Sequence, residues 1–210
     1  RKIGVIAVQD GPGIEASFSA VAQAYGDNTP ILMLPGAHSL AMQDYDPQFM
    51  ASRSFQDITK MAGLINDAGS ISRKFEMAFS ALKNPKSGPV LLETTVNVLW
   101  GQSDPESKPI YRSPTGHRSM ADPADVETIL DALLSADRPI IIAGHGVLYA
   151  EAWDELKALA ELLQVPVTTS LLGKSSFPED HELSLGVSGR TITKAAGHFA
   201  NKSDFILMPN

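Results

Sequence analysis

Short aliphatic runs, each followed by a turn and an amphipathic segment, constrain the fold of this chain most strongly. The run Ile3–Val8 leads into a turn of two glycines and a proline, Gly11–Gly13. Apolar residues then recur at helical spacing over Ala16–Tyr25, and a second run covers Pro30–Pro35. Two consecutive parallel strands need a crossover helix between them, so this order predicts a strand–helix–strand unit whose first strand is parallel and buried.

The same alternation continues through the first half of the chain. Beyond an irregular stretch over Gly36–Arg53, the spacing of apolar residues predicts two helices and two strands. They are a helix over Phe55–Ala62, a short strand over Gly63–Asn66, an amphipathic helix that begins at Ser70, and a strand over Pro89–Thr95. This half therefore resolves into an α/β domain over residues 1–96.

A change of composition separates the two halves. Residues 97–121 are rich in proline and serine with little apolar periodicity, which is typical of an interdomain linker. Asp122 followed by Pro123 is a strong helix start. The strands predicted beyond it are Pro139–Ala143, Val165–Leu171 and Phe205–Met208, with helices over Ala150–Leu163 and Thr191–Ala200. The prediction is a second domain over 122–210, both domains being three-layer (αβα) folds with parallel sheets.

Composition excludes several classes of protein. The chain carries 17 Lys and Arg against 24 Asp and Glu, a net charge of −7, which argues against nucleic acid as a partner. It has no cysteine, hence no disulfide or thiolate metal site. No apolar run approaches the roughly 20 residues of a membrane helix, so no membrane partner is expected. Because an apolar strand lies at each end, we expect the chain to be part of a longer polypeptide.

Familiar catalytic and phosphate-binding motifs are incomplete here. Gly144 and Gly146 follow a predicted strand, but Tyr149 stands where a dinucleotide fingerprint has its third glycine. A plain βα turn is one interpretation; glycine amides that approach a phosphate are the other. Gly173 precedes a Lys-Ser pair, but Thr168 replaces the first glycine of a Walker motif. The histidines show no paired metal-binding spacing, so no metal site is predicted.

The turn Gly11–Gly13, called the glycine–proline turn below, is the most specific local feature. At the carboxyl end of a parallel strand, two glycines and a proline would expose backbone groups to a ligand in the crevice outside the sheet. A tight turn without a ligand is the competing interpretation.

Taken in order, these segments resemble the acetolactate synthase-like group of thiamine diphosphate (ThDP) enzymes. The pyrimidine-binding (PYR) domain of that family is resembled by the glycine–proline turn, Ala24–Asp27 and Pro30–Gly36. Two further segments resemble it: Ser54–Asp57 is similar to its Phe-Gln-Glu segment, and Ser87–Val90 is similar to its Gly-Pro-Val strand entry. Leu134–Gly144, Leu159–Pro166, Leu172–Pro178, Gly186–Arg190 and Ala200–Met208 resemble the central domain. The resemblance implies parts of both domains, each incomplete relative to the family.

The resemblance implies a carboligase or decarboxylase that acts on a small-molecule 2-keto acid, with ThDP and Mg²⁺ bound in the complete protein. The segment of the family's catalytic glutamate would precede Arg1, and no Gly-Asp-Gly occurs in the chain. No catalytic residue is therefore assigned here, and the isolated chain is expected to be inactive. The family also implies a cytoplasmic homodimer or homotetramer.

The resemblance places two groups of residues at ligands. For the cofactor and substrate these are Gly11, Pro12, Gly13, Phe55 and Gln56, together with Ala16, Ala37 and His38 where the family commonly has Asn and Gln. For a nucleotide they are Gly144, Gly146, Leu172, Gly173, Gly186, Gly189 and Arg190. FAD stays open as a cofactor, since Lys86 or Ser87 stands where FAD-binding members carry Arg.

Two alternatives to a ThDP enzyme remain at this point. In the first, the second domain is a non-redox module that binds an adenine nucleotide such as FAD, ADP or a CoA moiety. In the second, the chain is a truncated scaffold without activity. The glycine turns at Gly144 and Gly186 motivate the first alternative.

Overall fold

The computed structural model describes residues 3–43, 45–84, 86–102 and 120–209. The described residues up to 102 belong to one compact unit and those from 120 onward belong to a second. Within these ranges, no helix is both long and apolar enough to span a membrane.

The first unit is built on a sheet of four parallel strands in the order β1-β2-β4-β3. The strands are β1 Gly4–Val8, β2 Ile31–Ala37, β3 Met61–Ile65 and β4 Val90–Thr95. The helices are α1 Pro12–Glu15, α2 Phe18–Gly26, α3 Ala51–Ser54, α4 Ile71–Leu82 and α5 Val96–Leu99. Because all strands run the same way, the loops at their carboxyl ends share one edge of the sheet.

Helices cover both faces of this first sheet. On one face, Met33 and Leu91 pack with Val21 of α2 and with Phe55. On the opposite face, the core consists of Leu32, Ile65, Val90 and Leu92 from the strands and Ala78 and Leu82 from α4. Alternate residues of one strand thus enter different cores, as expected for a parallel sheet buried on both sides.

Two local predictions for the first unit are wrong. Strand β1 is parallel, but it is the edge strand, and Val5 and Ile6 are 60% and 40% exposed rather than buried. No helix covers 55–62; residues 56–58 form a short 3-10 turn. The N–H of Lys60 then donates to the carbonyl of Pro89 at 2.8 Å, so the chain is already joining the sheet where the helix was expected to continue.

The second unit repeats the architecture with four parallel strands in the order β7-β6-β5-β8. These are β5 Pro139–Ala143, β6 Val167–Thr169, β7 Ser184–Val187 and β8 Phe205–Leu207. The helices are α6 Pro123–Ser135, α7 His145–Ala150, α8 Trp153–Leu163 and α9 Lys194–Lys202. Strand β7 replaces part of a stretch for which no regular element was predicted.

The second sheet is also covered on both faces. Leu156 and Ala160 of α8 pack on Ile141 and Val167, whereas Ala196 of α9 packs on the opposite face. Two four-stranded parallel sheets with helices on both sides confirm the predicted fold class. Helix α5 occupies part of the predicted linker 97–121, of which residues 103–119 lie outside the described residues.

Candidate functional site

The glycine–proline turn lies open at the carboxyl end of β1. Gly11 has φ +59° and ψ −117°, and a Cβ built on it would have no neighbour within 4 Å. Pro12 is exposed and begins α1, because the fixed φ of proline suits the first position of a helix. Ile14 is the one residue of α1 that enters the core. The turn therefore anchors itself through Ile14 and presents its backbone to solvent.

An acidic and a basic residue face each other beside this turn. Asp10 follows β1 and His38 follows β2, and the His38 Nδ1 atom lies 3.7 Å from the Asp10 Oδ2 atom. Both side chains are partly exposed, at 49% for His38 and 33% for Asp10. Gly36 of β2 is a neighbour of Asp10, and a Cβ built on Gly36 would lie 3.7 Å from the Asp10 nitrogen, in ordinary van der Waals contact.

The remaining predicted residues of this edge, Ala37 and Ala16, differ in their exposure to solvent. Ala37 is buried at the end of β2 and is paired in register with Thr95 of β4. The buried Thr95 Oγ1 has no hydrogen-bond partner among the described residues, so it offers an unused polar atom next to Ala37. Ala16 lies at the exposed end of α1.

The adjacent residues Phe55 and Gln56 have opposite surroundings. Phe55 is 0% exposed, and its ring makes edge contacts with Phe18 at 5.0 Å and Phe49 at 6.4 Å between centroids. Gln56 is exposed at the start of the short 3-10 turn. Of this predicted pair, only Gln56 is accessible to a ligand; Phe55 supports it from the core.

Strand β4 and helix α5, which follows it, each contribute one polar residue that the sequence reasoning missed. Glu93 is 3% exposed and accepts the backbone N–H groups of Ala51 and Ser52. The Asn97 Oδ1 atom accepts the N–H of Leu40 at 2.9 Å. A signal for Glu93 was present, because an acidic residue inside an apolar strand must find hydrogen-bond donors. Ala37, His38 and Glu93 line one narrow cleft together with Phe49 and Leu64.

The predicted nucleotide residues gather at the carboxyl edge of the second sheet, but several of their backbone groups are occupied. The N–H of Gly144 donates to the carbonyl of Pro209 at 2.9 Å. The N–H of Gly173 donates to Ser170, and a Cβ on Gly173 would lie 2.4 Å from the Ala143 oxygen. This packing favours a closed βα turn at Gly144.

Part of the rest of this second edge is more accessible. Gly189, at φ +114°, has nothing within 4 Å of a built Cβ, whereas a Cβ on Gly186, at φ +82°, would lie 2.8 Å from the Thr193 side chain. Leu172 and Arg190 are exposed, and Gly146 lies in α7. A cavity of about 460 Å³ lies instead at the amino edge of the sheet, lined by residues such as Leu133, Arg138, Ile140 and Phe199, and contains none of the predicted nucleotide residues.

Two carboxylates of the second unit have lowered pKa values. The N–H of Arg138, at 2.8 Å, is the main cause that lowers the pKa of Asp204, and the N–H of Asp137 adds to it. A hydrogen bond from His181, at 3.0 Å, lowers the pKa of Glu161. Among the described residues, no three His, Asp or Glu side chains gather into a metal-binding group.

Comparison with known families identifies the family of this chain. Residues 1–62 match the model for the thiamine pyrophosphate enzyme, N-terminal TPP binding domain, and residues 126–208 match the thiamine pyrophosphate enzyme, central domain. The chain belongs to the thiamine pyrophosphate (ThDP) enzyme family. Both units that the resemblance suggested, and their order along the chain, are those of this family.

Two relatives illustrate which enzymes of this family the chain is similar to. The chain is 33% identical to a probable acetolactate synthase large subunit of Methanocaldococcus jannaschii, over 97% of this chain and 36% of that protein. It is 31% identical to the glyoxylate carboligase of Escherichia coli O157:H7, over 89% of this chain and 32% of that protein. It thus spans about a third of the length of these relatives.

A solved structure agrees with the fold of this ThDP-family chain. A putative thiamin diphosphate-dependent enzyme from Mycobacterium smegmatis superposes with a TM-score of 0.78 at 24% identity. The match covers 99% of this chain and 40% of the solved chain. At this identity the likeness concerns the architecture of the two sheets.

Proposed function

We propose that this chain forms one wall of the coenzyme site in a ThDP-dependent carboligase or decarboxylase that acts on a 2-keto acid. Membership of the family supports the coenzyme, and the acetolactate synthase and glyoxylate carboligase relatives support the class of reaction. The observation that carries the proposal is the open glycine–proline turn at the carboxyl edge of the first sheet, where parallel α/β folds bind ligands.

The residues at this edge fit an aromatic coenzyme ring. Gly11 has no side chain and its outer face is empty, so a flat ring can approach the backbone there. Bound ThDP supplies an electron sink for the cleavage and formation of carbon–carbon bonds. Pro12, with its fixed φ, holds the turn in shape. The Nδ1 atom of His38 faces Asp10, so Nε2, across the ring, is the ring nitrogen directed away from Asp10.

The proposal assigns the remaining parts of the site to other polypeptide. The described residues hold no metal-binding group, and the chain contains no Gly-Asp-Gly for a magnesium diphosphate. We therefore propose that the 210 residues alone do not turn over substrate. We also propose, from the resemblance to the family, that the complete enzyme is a homodimer or homotetramer. Light scattering of the complete protein measures its assembly.

Calorimetry with ThDP and Mg²⁺ on a complete protein that contains this chain tests the proposal, followed by pyruvate consumption. We expect Gly11→Ala to weaken ThDP binding at least tenfold, because alanine is strained at φ +59° and fills the ring's approach. Gly26→Ala is the matched control, since Gly26 also has open space but an ordinary φ. Absence of ThDP binding by the complete protein would overturn the proposal.

A second proposal concerns an adenine nucleotide, such as FAD, ADP or a CoA moiety, on the second unit. The support is the exposed, positive-φ Gly189 beside Arg190, at the carboxyl edge of that sheet. A ligand that binds only the folded state raises the melting temperature by mass action. Millimolar FAD or ADP should therefore raise the melting temperature of the chain, and the absence of any rise would contradict this proposal.

A further inference from the structure

A buried carboxylate in the middle of the first unit holds a helix that is distant in sequence. The Glu93 Oε1 atom accepts the N–H of Ala51 at 3.0 Å, and its Oε2 atom accepts the N–H of Ser52 at 2.7 Å. Glu93 is 3% exposed. Both oxygens of the side chain are thus used on consecutive backbone groups, 42 and 41 residues away along the chain.

The energetics of α3 explain why these hydrogen bonds matter. The first N–H groups of a helix have no intrahelical acceptor, and Met50, at the N-cap position, makes no side-chain cap. A helix of four residues does not stabilise itself, because nucleation is costly. A buried carboxylate, in turn, is tolerated only with donors. Glu93 therefore meets two needs at once: it caps α3, and α3 satisfies Glu93.

Helix α5, which directly follows β4, holds the other end of the preceding loop. Asn97 accepts the N–H of Leu40, two residues after His38, whereas Glu93 holds Ala51 and Ser52 at the far end. Within the loop, the Gln48 side-chain amide, assigned with its nitrogen toward Met42 and Gln43, donates to their carbonyl oxygens at 2.8 and 3.0 Å. The two ends of the loop are thus held by Asn97 of α5 and by Glu93 of β4, and Gln48 contacts Met42 and Gln43 between them.

We propose that Glu93 is a positioning residue that fixes the described part of the segment 38–56 on the carboxyl edge of the first sheet, and that Asn97 of α5 holds the other end of this segment at Leu40. The segment begins at His38, which faces the end of β1, and ends at the exposed Gln56. This inference rests on the proposed function, because its consequence is the placement of these two side chains toward a bound 2-keto acid. Glu93 itself touches the backbone of α3 and not the reacting atoms.

Amide hydrogen exchange of the full 210-residue chain tests directly whether Glu93 holds α3 in place. In Glu93→Gln, one oxygen is replaced by a nitrogen that cannot accept, so we expect the Ala51 or Ser52 amide to exchange about ten- to a hundredfold faster. Glu76→Gln, on the exposed side of α4, is the matched control and leaves both rates unchanged. Amides of β2, in the same unit, serve as the internal reference for unfolding of the whole first unit.

The outcomes of this experiment are distinct. Unchanged exchange at both amides in a folded Glu93→Gln variant overturns the proposal. If Glu93→Gln does not fold, Glu93→Asp decides by the same rates, because it keeps the charge but is one methylene too short to reach both donors. Loss of folding in both variants, with Glu76→Gln intact, also overturns the proposal, since Glu93 would then support the core as a whole.

Kinetics of the complete protein separate positioning from plain stability. We expect Glu93→Gln to raise the KM for the 2-keto acid about tenfold, while the Kd for ThDP stays within twofold of wild type. Unchanged KM despite faster amide exchange would overturn the positioning role. A complete protein that consumes no 2-keto acid would overturn the proposed function instead, and the exchange rates would still decide whether Glu93 holds α3.

Discussion

The two units repeat one architecture but treat the glycine after their first strand in opposite ways. Gly11 follows β1 with a positive φ and open space beside it. Gly144 follows β5 with an extended backbone, is buried, and donates its N–H to Pro209. Gly173 closes that second turn further by packing against Ala143. The first edge is thus open to a ligand, and the second is closed by its own chain at this position.

The difference shows that a glycine after a parallel strand does not by itself make a binding site. Both glycines precede a helix, and both sequences suggested an approach to a ligand. What distinguishes the two turns is whether their backbone groups are already hydrogen-bonded to other parts of the chain, and only the fold determines this. The helices that follow the two turns are both short, α1 with four residues and α7 with six. Helix length therefore does not explain why one turn is open and the other closed.

The largest effect is expected where the closed turn is most tightly packed. Gly173→Ala should lower the free energy of unfolding of the second unit by about 3 kcal/mol, because the added Cβ meets backbone atoms at 2.4 and 2.9 Å. Urea denaturation followed by Trp153 fluorescence, with Trp100 replaced by Phe, measures this unit. Gly197→Ala in α9, where the nearest atom is 3.6 Å away, is the control and should not destabilise. Equal stability of Gly173→Ala and wild type would break the contrast.

A smaller effect is expected at the open turn, for a different reason. Gly11→Ala meets no atom, but it forces alanine into a positive φ, which should destabilise the first unit by about 2 kcal/mol. Gly4→Ala in β1 is the matched control, since it has the same open space without the positive φ. Exchange rates of the β2 and β4 amides report both variants. If both variants behave alike, the backbone of Gly11 is not strained.

The smallest effect concerns the carboxylates that accept backbone N–H groups in each unit. Asp204, unlike the buried Glu93, is partly exposed, and its pKa is lowered from the ordinary value of 3.8. The charged form stabilises the folded state, so this contribution is complete above pH 3.8 and disappears as the pH falls through the lowered pKa. The Tm difference between wild type and Asp204→Asn should therefore close below pH 3.8. A difference that is constant from pH 6 to pH 2 would contradict this.

The sequence was sufficient for most strands and for the location of the open turn. Apolar runs such as those at β2, β4 and β5 are unambiguous, and the rule that ligands lie at the carboxyl edge placed Gly11 there. Strand β7 was missed because Ser184–Val187 contains a glycine and no β-branched run, and its pairing with β6 is irregular. The helix predicted at residue 55 was wrong because a hydrogen bond between Lys60 and Pro89 competes with it.

The polar supports of the candidate site were beyond local patterns. Glu93 and its donors Ala51 and Ser52 are about 40 residues apart, so no spacing rule connects them. The exposure of β1 is equally non-local, since an apolar run shows that a strand forms but not whether a second strand lies beside it. The burial of Phe55 next to the exposed Gln56 depends on the aromatic neighbours that α2 and the loop provide.

The exposed edge strand has a practical consequence for handling this chain. Among the described residues, no strand pairs with the outer side of β1, where Val5 and Ile6 are exposed. Such an edge is a template for intermolecular strand pairing, and natural proteins blunt it with lysine or proline. Purified by itself at high concentration, the chain therefore carries an aggregation hazard, and dilute solutions or a charged substitution at Val5 are the remedy.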